Sequence, residues 1–375
     1  MYLFVLVVNL ITAKIMGKNR ILPGLSFLYL GVLSGQTDLI NNRDTFNYYN
    51  DYIHIGELGY TSRFEWAYVF LEKLGRNFDL TYPTFRIILM ITVYVVLFFS
   101  VKYYIKNMSS FYVLYAIFAF ALETTQVRTF VMFTLIMLAF RLISQKSKWL
   151  GATGVIVALL APGFHSIGYF FTLMIIIIYL LKNNQKVSLS KKIPFISVGI
   201  TIIMLIPNIA SFIGLMLSKI IGGLSDNQEV VNNIGVRFNN NGTAITTVAF
   251  MIVFFLIYYV VVNNYPVKMN ELDNDFNKIV NMRFAIAFIS LAISLLTISG
   301  QYQRILRYGV ILMIIYWILS SECSIDTGFT VKNLLYSFSF VISIFLAIVL
   351  FYGLYSSTVF AETIPYLVKF NFGVQ

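Results

Sequence analysis

The chain has 375 residues, 59% of them hydrophobic and 11% charged, with a mean hydropathy of +0.80. That balance excludes a soluble globular domain, and the repeated apolar runs, roughly 15 to 22 residues each, match what a helix needs to cross a bilayer. The net charge of +11 is spread over loops between those runs and reads as a topology signal before any affinity for nucleic acid, while one cysteine, Cys323, and two histidines, His54 and His165, exclude an internal disulfide and argue against a zinc site.

The fold class expected is all-α, a polytopic membrane protein forming one integral domain over residues 1–375. Period-2 alternation, the mark of a membrane β-barrel, is absent. In chain order the predicted spans are 1–16, 21–37, 84–101, 109–123, 127–143, 149–163, 167–181, 193–215, 244–262, 282–299, 305–320 and 333–355, about twelve transmembrane helices. The opening run, Met1–Ile15, lacks a basic leader and a small-residue cleavage site, so it is expected as a retained first span.

Short cytoplasmic loops collect Lys and Arg. Alternate loops carry Lys14, Lys18 and Arg20; Lys102 and Lys106; Arg141, Lys146 and Lys148; Lys182, Lys186, Lys191 and Lys192; Lys268, Lys278 and Arg283; and Lys332. All fall on one side if the N-terminus is outside. The intervening loops hold Asp44, Glu65, Arg128, His165, Arg237, Arg304 and Arg307, which therefore face the extracytoplasmic side. Two of these outer segments are long. Residues 38–83 include Asp38, Arg43, Asp44, Tyr48, Tyr49, Asp51, Tyr52, Glu57, Tyr60 and Arg63, then Trp66, Phe70, Leu74 and Phe78 at a helical spacing suited to the membrane interface. Residues 216–243 read as a loop, with Gly222-Gly223 and an Asn-rich stretch through Arg237.

Ionisable groups between apolar runs are costly and are functional candidates by default. The stretch Leu122–Phe133 holds Glu123, Gln126 and Arg128. Arg128, at the outer mouth of a helix, has two readings: an arginine snorkelling to the interface, or a phosphate clamp whose planar donors match phosphate oxygens. Glu123 and Gln126 orient it or cap the turn. Gln301-Tyr302-Gln303-Arg304-Ile305-Leu306-Arg307-Tyr308 interrupts the runs near the C-terminus. Arg304 and Arg307 share a helix face, and their position outside, against the usual sign rule, favours an anionic ligand such as a lipid diphosphate over plain anchoring. Gln301, Gln303, Tyr308 and Arg237 join them as candidate substrate contacts.

His165, after Pro162-Gly163-Phe164, is either a satisfied hydrogen-bonding residue or a group that activates or positions a sugar hydroxyl. Asp44 and Glu65 are loop acids able to polarise an acceptor hydroxyl, or simply solvated. Tyr48 and Tyr49, with Tyr52 and Tyr60, suit stacking on sugar faces, although interfacial aromatics need no such reason. Asp273-Asn274-Asp275 matches the D-x-D of nucleotide-sugar enzymes but has no nucleotide-binding domain around it, and reads as a decoy. No P-loop and no G-x-S-x-G is present.

One order of features carries a resemblance: Asp44 with Tyr48–Tyr49, Glu65 before the Trp66–Leu74 run, Gln126-x-Arg128 at a helix start, Phe164-His165-Ser166, and Pro365-Tyr366 after the last span. It resembles the EpsG family of bacterial polysaccharide polymerases, within the Wzy-type O-antigen and capsule polymerases. The chain departs from the family pattern where Thr125-Gln126-Val127-Arg128 replaces Asn-x-x-Arg and where Arg43 precedes Asp44. The resemblance implies a GT-C-like membrane glycosyltransferase of the bacterial cytoplasmic (inner) membrane, its active site facing outside, using neither a nucleotide sugar nor a metal or other cofactor. Donor and acceptor would be undecaprenyl-diphosphate-linked oligosaccharides, and a chain-length regulator and a flippase would be partners. Arg128, Arg304 and Arg307 would stabilise the diphosphate leaving group, and His165 would serve the acceptor. The rivals are a lipid-linked oligosaccharide flippase and an O-antigen ligase-type transferase.

Overall fold

A computed structural model describes residues 1–36, 43–206, 209, 212–213, 216, 244–263, 275–323 and 331–355. Arg237, the 216–243 loop apart from Met216, Asp273-Asn274 and Pro365-Tyr366 lie outside those residues. The regular structure among them is entirely helical. Tyr82–Val101, Asn183–Met204, Ala244–Val262, Phe276–Leu295, Gly300–Cys323 and Leu335–Gly353 are long and apolar enough to cross a membrane. Shorter apolar helices accompany them, so the chain is a polytopic helical membrane protein. It divides into two compact units, one built on Met1–Leu180 and one on Leu181–Leu354.

The first unit contains α1 (Tyr2–Ile15), α2 (Ile21–Gly35), α3 (Arg43–His54), α4 (Trp66–Asn77), α5 (Tyr82–Val101), α6 (Met108–Phe118), α7 (Phe120–Thr125), α8 (Val127–Ile143), α9 (Lys148–Leu160) and α10 (Gly168–Leu180). Local chemistry sets several starts. Thr81 accepts from the Thr84 N–H and Pro83 occupies the first turn of α5, where its missing donor costs nothing. Asn107 accepts from the Ser110 N–H and donates to the Ala13 carbonyl, joining the start of α6 to the end of α1. At the other end of that pair, the Tyr2 hydroxyl donates to the Ala116 carbonyl, so α1 and α6 are antiparallel. Phe27 of α2, almost completely buried, lies against the rings of Tyr94, Phe98, Phe111, Tyr112 and Tyr115 and centres the core of α2, α5 and α6.

Helices α5 and α8 run parallel and are tied at both ends. Near their starts Arg86 donates to the Thr124 carbonyl at 2.7 Å. Near their ends Tyr103 donates to the Ser144 carbonyl at 3.0 Å and Arg141 to the Phe99 carbonyl at 3.1 Å. One end of this unit therefore gathers the end of α2, the loop helices α3 and α4, the start of α8 and the turn between α9 and α10. The opposite end carries Lys102, Arg141 and the 144–148 turn.

Arg86 was not anticipated. It is 1% exposed inside an apolar helix, and its donors reach the Ser34 carbonyl, the Tyr82 hydroxyl and the Thr124 carbonyl, all neutral. Two of these acceptors belong to the ends of α2 and α7, where carbonyls lack intrahelical partners and the helix dipole favours a cation.

In the second unit α11 (Asn183–Met204) and α13 (Phe276–Ile289) are parallel and in register. Asn183 donates to Asn277 at 2.5 Å, Lys186 to Asn281 at 2.7 Å and Ser197 to the Ser290 carbonyl at 2.5 Å. Around them lie α12 (Ala244–Tyr258), the short α14 (Ala292–Leu295), α15 (Gln303–Cys323) and α16 (Val331–Tyr355). Trp317 of α15 stacks on Phe340 of α16 at 4.3 Å.

Several boundaries differ from expectation. The span expected at 109–123 is broken between Phe118 and Phe120. The basic segment 182–192, expected as a loop, is mostly helical, because Gln185 caps the Lys182 N–H and Lys186 finds amide partners. The span expected to open at residue 282 starts at Phe276, with Asp275 as its cap residue, paired to Lys278 at 2.7 Å. Helix α3 occupies what read as loop.

Arg86→Ala would remove three buried hydrogen bonds and open a cavity, for a loss of about 3 kcal/mol or more. Thermal unfolding in detergent should show a clearly lowered midpoint, with Arg86→Lys between the alanine variant and the parent because an ammonium matches the fork geometry poorly. An unchanged midpoint in Arg86→Ala would contradict this role.

Candidate functional site

The site is built on a break in the chain between α7 and α8. Thr124 and Thr125 turn their hydroxyls back onto the Ala121 and Leu122 carbonyls at 2.7 and 2.9 Å, competing with continued helix. Gln126 then leaves helical geometry at φ −110°, ψ 56°, and α8 restarts at Val127. Arg128 therefore projects from the first turn of α8, in the half-buried state expected at a helix mouth.

Its guanidinium is boxed by aromatic rings. Its carbon lies 4.1 Å from the centre of the Phe64 ring and 5.7 Å from that of Tyr48, in the range of cation–π contact. Phe64 also carries the guanidinium of Arg63 at 5.4 Å. Tyr48 and Phe64 pack on each other and on Tyr68, which fixes the box from α3 and α4. One Arg128 Nη pairs with the Glu65 carboxylate. The Nε is buried with no hydrogen-bond partner among the described residues.

Glu65 joins two segments. One oxygen takes Arg128 and the other accepts the Ser166 backbone N–H at 3.1 Å, from the turn between α9 and α10. That turn is tight. A Cβ on Gly163 would meet the Trp66 ring at 2.7 Å, and one on Gly168 would meet the Ala161 backbone at 2.6 Å. His165, 7% exposed, accepts the Ile167 N–H on Nδ1 at 3.2 Å, so the neutral ring carries its proton on Nε2.

Beside this box lies a buried carboxyl pair. Asp51 accepts from the Tyr60 hydroxyl at 2.6 Å and from the Ser62 hydroxyl at 2.7 Å. Glu72, fully buried on α4, faces it. Burial, then the nearby Asp51 carboxylate, push the Glu72 carboxyl from an ordinary 4.5 up to about 10, against a smaller opposing pull from Arg128. Glu72 is thus a neutral acid at pH 7. Burial and the same Asp51 carboxylate also raise the Tyr60 phenol.

Of the residues singled out in the sequence, Arg128, Glu65, Tyr48 and the His165–Ser166 turn come together at this end of the first unit. Glu123 is fully buried on α7 and Gln126 forms the break itself. Asp44 is exposed in the first turn of α3, where a negative charge suits the helix dipole. Tyr49 meets Tyr82 edge-on at 5.7 Å. Arg304, Arg307, Gln301, Gln303 and Tyr308 belong to the second unit. There Arg304 is half-exposed, while Arg307 is buried with its guanidinium 5.2 Å from the Tyr308 ring. Phe64, the Asp51–Glu72 pair and Arg86 belong to the site or its support without being candidates from sequence. A lone arginine in an apolar run and an acid on the polar side of an amphipathic helix were signals for two of them.

Because Glu72 must stay protonated when folded and ionises at about 4.5 when unfolded, its contribution is complete below that pH and is lost as pH rises towards 10. At pH 7 the cost is about 3 kcal/mol at 1.36 kcal/mol per unit. Glu72→Gln, neutral at every pH, should therefore melt progressively above the parent between pH 5 and pH 9 in detergent. A gap that does not change with pH would contradict the neutral acid.

A family model described as the EpsG family matches residues 20–368, nearly the whole chain. No curated protein and no solved structure matches. With a polytopic helical fold and the match running through both units, the chain belongs to the EpsG family, whose members are membrane polysaccharide polymerase-like proteins.

Proposed function

We propose that the protein is a membrane glycosyltransferase that joins lipid-diphosphate-linked oligosaccharide repeats, with undecaprenyl diphosphate as carrier, into a surface polysaccharide on the outer face of the cytoplasmic membrane. The observation that carries this reading is Arg128. It is a guanidinium fixed at a helix mouth by Phe64 and Tyr48, with a buried donor unused among the described residues and Arg63 on the same ring.

In the reaction, an acceptor sugar hydroxyl forms a bond to the anomeric carbon of the donor. The bond from that carbon to the diphosphate breaks, its electron pair stays on the diphosphate, and the hydroxyl proton passes to a base. Charge develops on the leaving diphosphate, where a pre-fixed planar cation is most effective. Arg128, helped by the exposed Arg63, is assigned that role. Glu65, already held by the Ser166 N–H, is assigned to polarise the acceptor hydroxyl. His165, with its proton on Nε2, fits a positioning role. Arg304 and Arg307 are proposed as hydrogen-bond donors to an anion on their own unit. The sign pattern of the loops supports the outer face, since the Arg128 end of the first unit is the one opposite Lys102 and Arg141.

The test is polymer formation by purified protein supplied with lipid-linked repeat units and scored as a ladder on a gel. Arg128→Ala should lose about 100- to 1000-fold in rate, the range for removing one fixed oxyanion donor. Arg128→Lys should recover little, since an ammonium cannot present the planar fork. An undiminished ladder from well-folded Arg128→Ala would overturn the assignment. Transfer of the lipid across vesicles with no ladder would instead mark a flippase.

A further inference from the structure

Helix α4 is turned inside out relative to a helix in water. Its buried side carries the polar Tyr68 and Glu72, 1% and 0% exposed, alongside the small Ala67 and Gly75. Its open side is apolar, with Trp66 at 64%, Phe70 at 60% and Leu74 at 41%, continued by Phe78 at 69%. Lys73 and Arg76 lie on the same open surface. A stripe of four large apolar groups held outward is stable only if its surroundings are not water.

The ends of α4 say how it lies. Its cap residue, Glu65, is paired to Arg128 at the start of α8. After Phe78 the chain turns through Asp79 and Leu80, whose carbonyl accepts the Tyr52 hydroxyl at 2.7 Å, and enters the start of α5. Because α5 and α8 are parallel with their starts level, both ends of α4 sit at one membrane edge. At 12 residues it is about 18 Å long, well short of the hydrocarbon thickness of about 30 Å. It runs along the end of the bundle and does not cross.

We infer that α4 lies in the plane of the lipid interface, its Trp66–Phe70–Leu74–Phe78 stripe sunk into the acyl boundary of the leaflet and Lys73 and Arg76 reaching lipid phosphates. The occupant of the open face is the phospholipid leaflet itself. Two consequences follow from chemistry alone. The aromatic positions fit the headgroup boundary, where amphipathic rings are favoured, and the flanking cations match the phosphate layer above it. The pair Arg128–Glu65, one residue from Trp66, is then fixed at phosphate depth. A lipid-borne anion would meet it without leaving the leaflet.

The experiment uses the full chain in phospholipid vesicles, on a Cys323→Ser background, with a nitroxide attached in turn to Phe70→Cys, Leu74→Cys, Phe78→Cys, Lys73→Cys and Arg76→Cys. All five positions are exposed, so labelling leaves the packed face intact. Collisions with oxygen, which concentrates in hydrocarbon, and with a water-soluble nickel chelate are compared by electron paramagnetic resonance. Labels at 70, 74 and 78 should collide with oxygen and be shielded from nickel, with the reverse bias at 73 and 76. Stripe labels open to nickel would place the face in water and overturn the inference. Stripe labels shielded from both would show a protein cover, a second copy or another chain, and overturn it equally. Neither outcome bears on Arg128→Ala in the ladder assay.

Discussion

The first unit depends on one buried cation. Arg86 sits where α2 ends, α5 begins and α7 gives way to α8, and two of its three hydrogen bonds go to carbonyls at the ends of α2 and α7. A polar backbone break within apolar surroundings survives only when its freed carbonyls find donors in the protein. The Thr124 carbonyl finds one in Arg86. The break at Gln126, set by the Thr124 and Thr125 hydroxyls, is accommodated in part by that bond.

From there the polar end assembles by short links, each closing a separate pair of elements. Glu65 ties the start of α4 to α8 and to the α9–α10 turn. Asp51 ties α3 to the loop through Tyr60 and Ser62. Glu72 sits behind them as an uncharged acid. The pattern separates the acids by what holds them: Glu65 pairs with Arg128 at the half-exposed mouth, Asp51 is buried under two hydroxyl donors, and buried Glu72 has given up its charge. That division is what burial demands of titratable groups.

Much of this was legible in the sequence. Apolar runs identified the helical membrane fold, the period of four identified α4, and the scarcity of charge pointed at Arg128, Glu65 and His165. What the sequence left open were contacts. Nothing local links Glu65 to Arg128 across 63 positions, or Ser166 to Glu65 across 101. The broken span at 118–120 and the helical 182–192 segment were misjudged for a related reason. Hydropathy records what a residue prefers, whereas asparagine partners decided where the 182–192 helix starts. Arg86 is the sharpest case, because its cost is visible in sequence and its compensation is visible only in the fold.

The parallel pair α5 and α8 is held at both ends, by Arg86 at one level and by Tyr103 and Arg141 at the other. Such a pair cannot slide, so its length works as a fixed gauge. The 20 residues of α5 span about 30 Å, the thickness of an ordinary hydrocarbon core. Alongside, α1 and α2 have 14 and 15 residues, about 21 and 22 Å, with Phe4, Leu10 and Ile15 of α1 facing outward. Because the two tied helices, α5 and α8, cannot tilt one by one, a bilayer thinner or thicker than their gauge has to adapt to the pair as a unit.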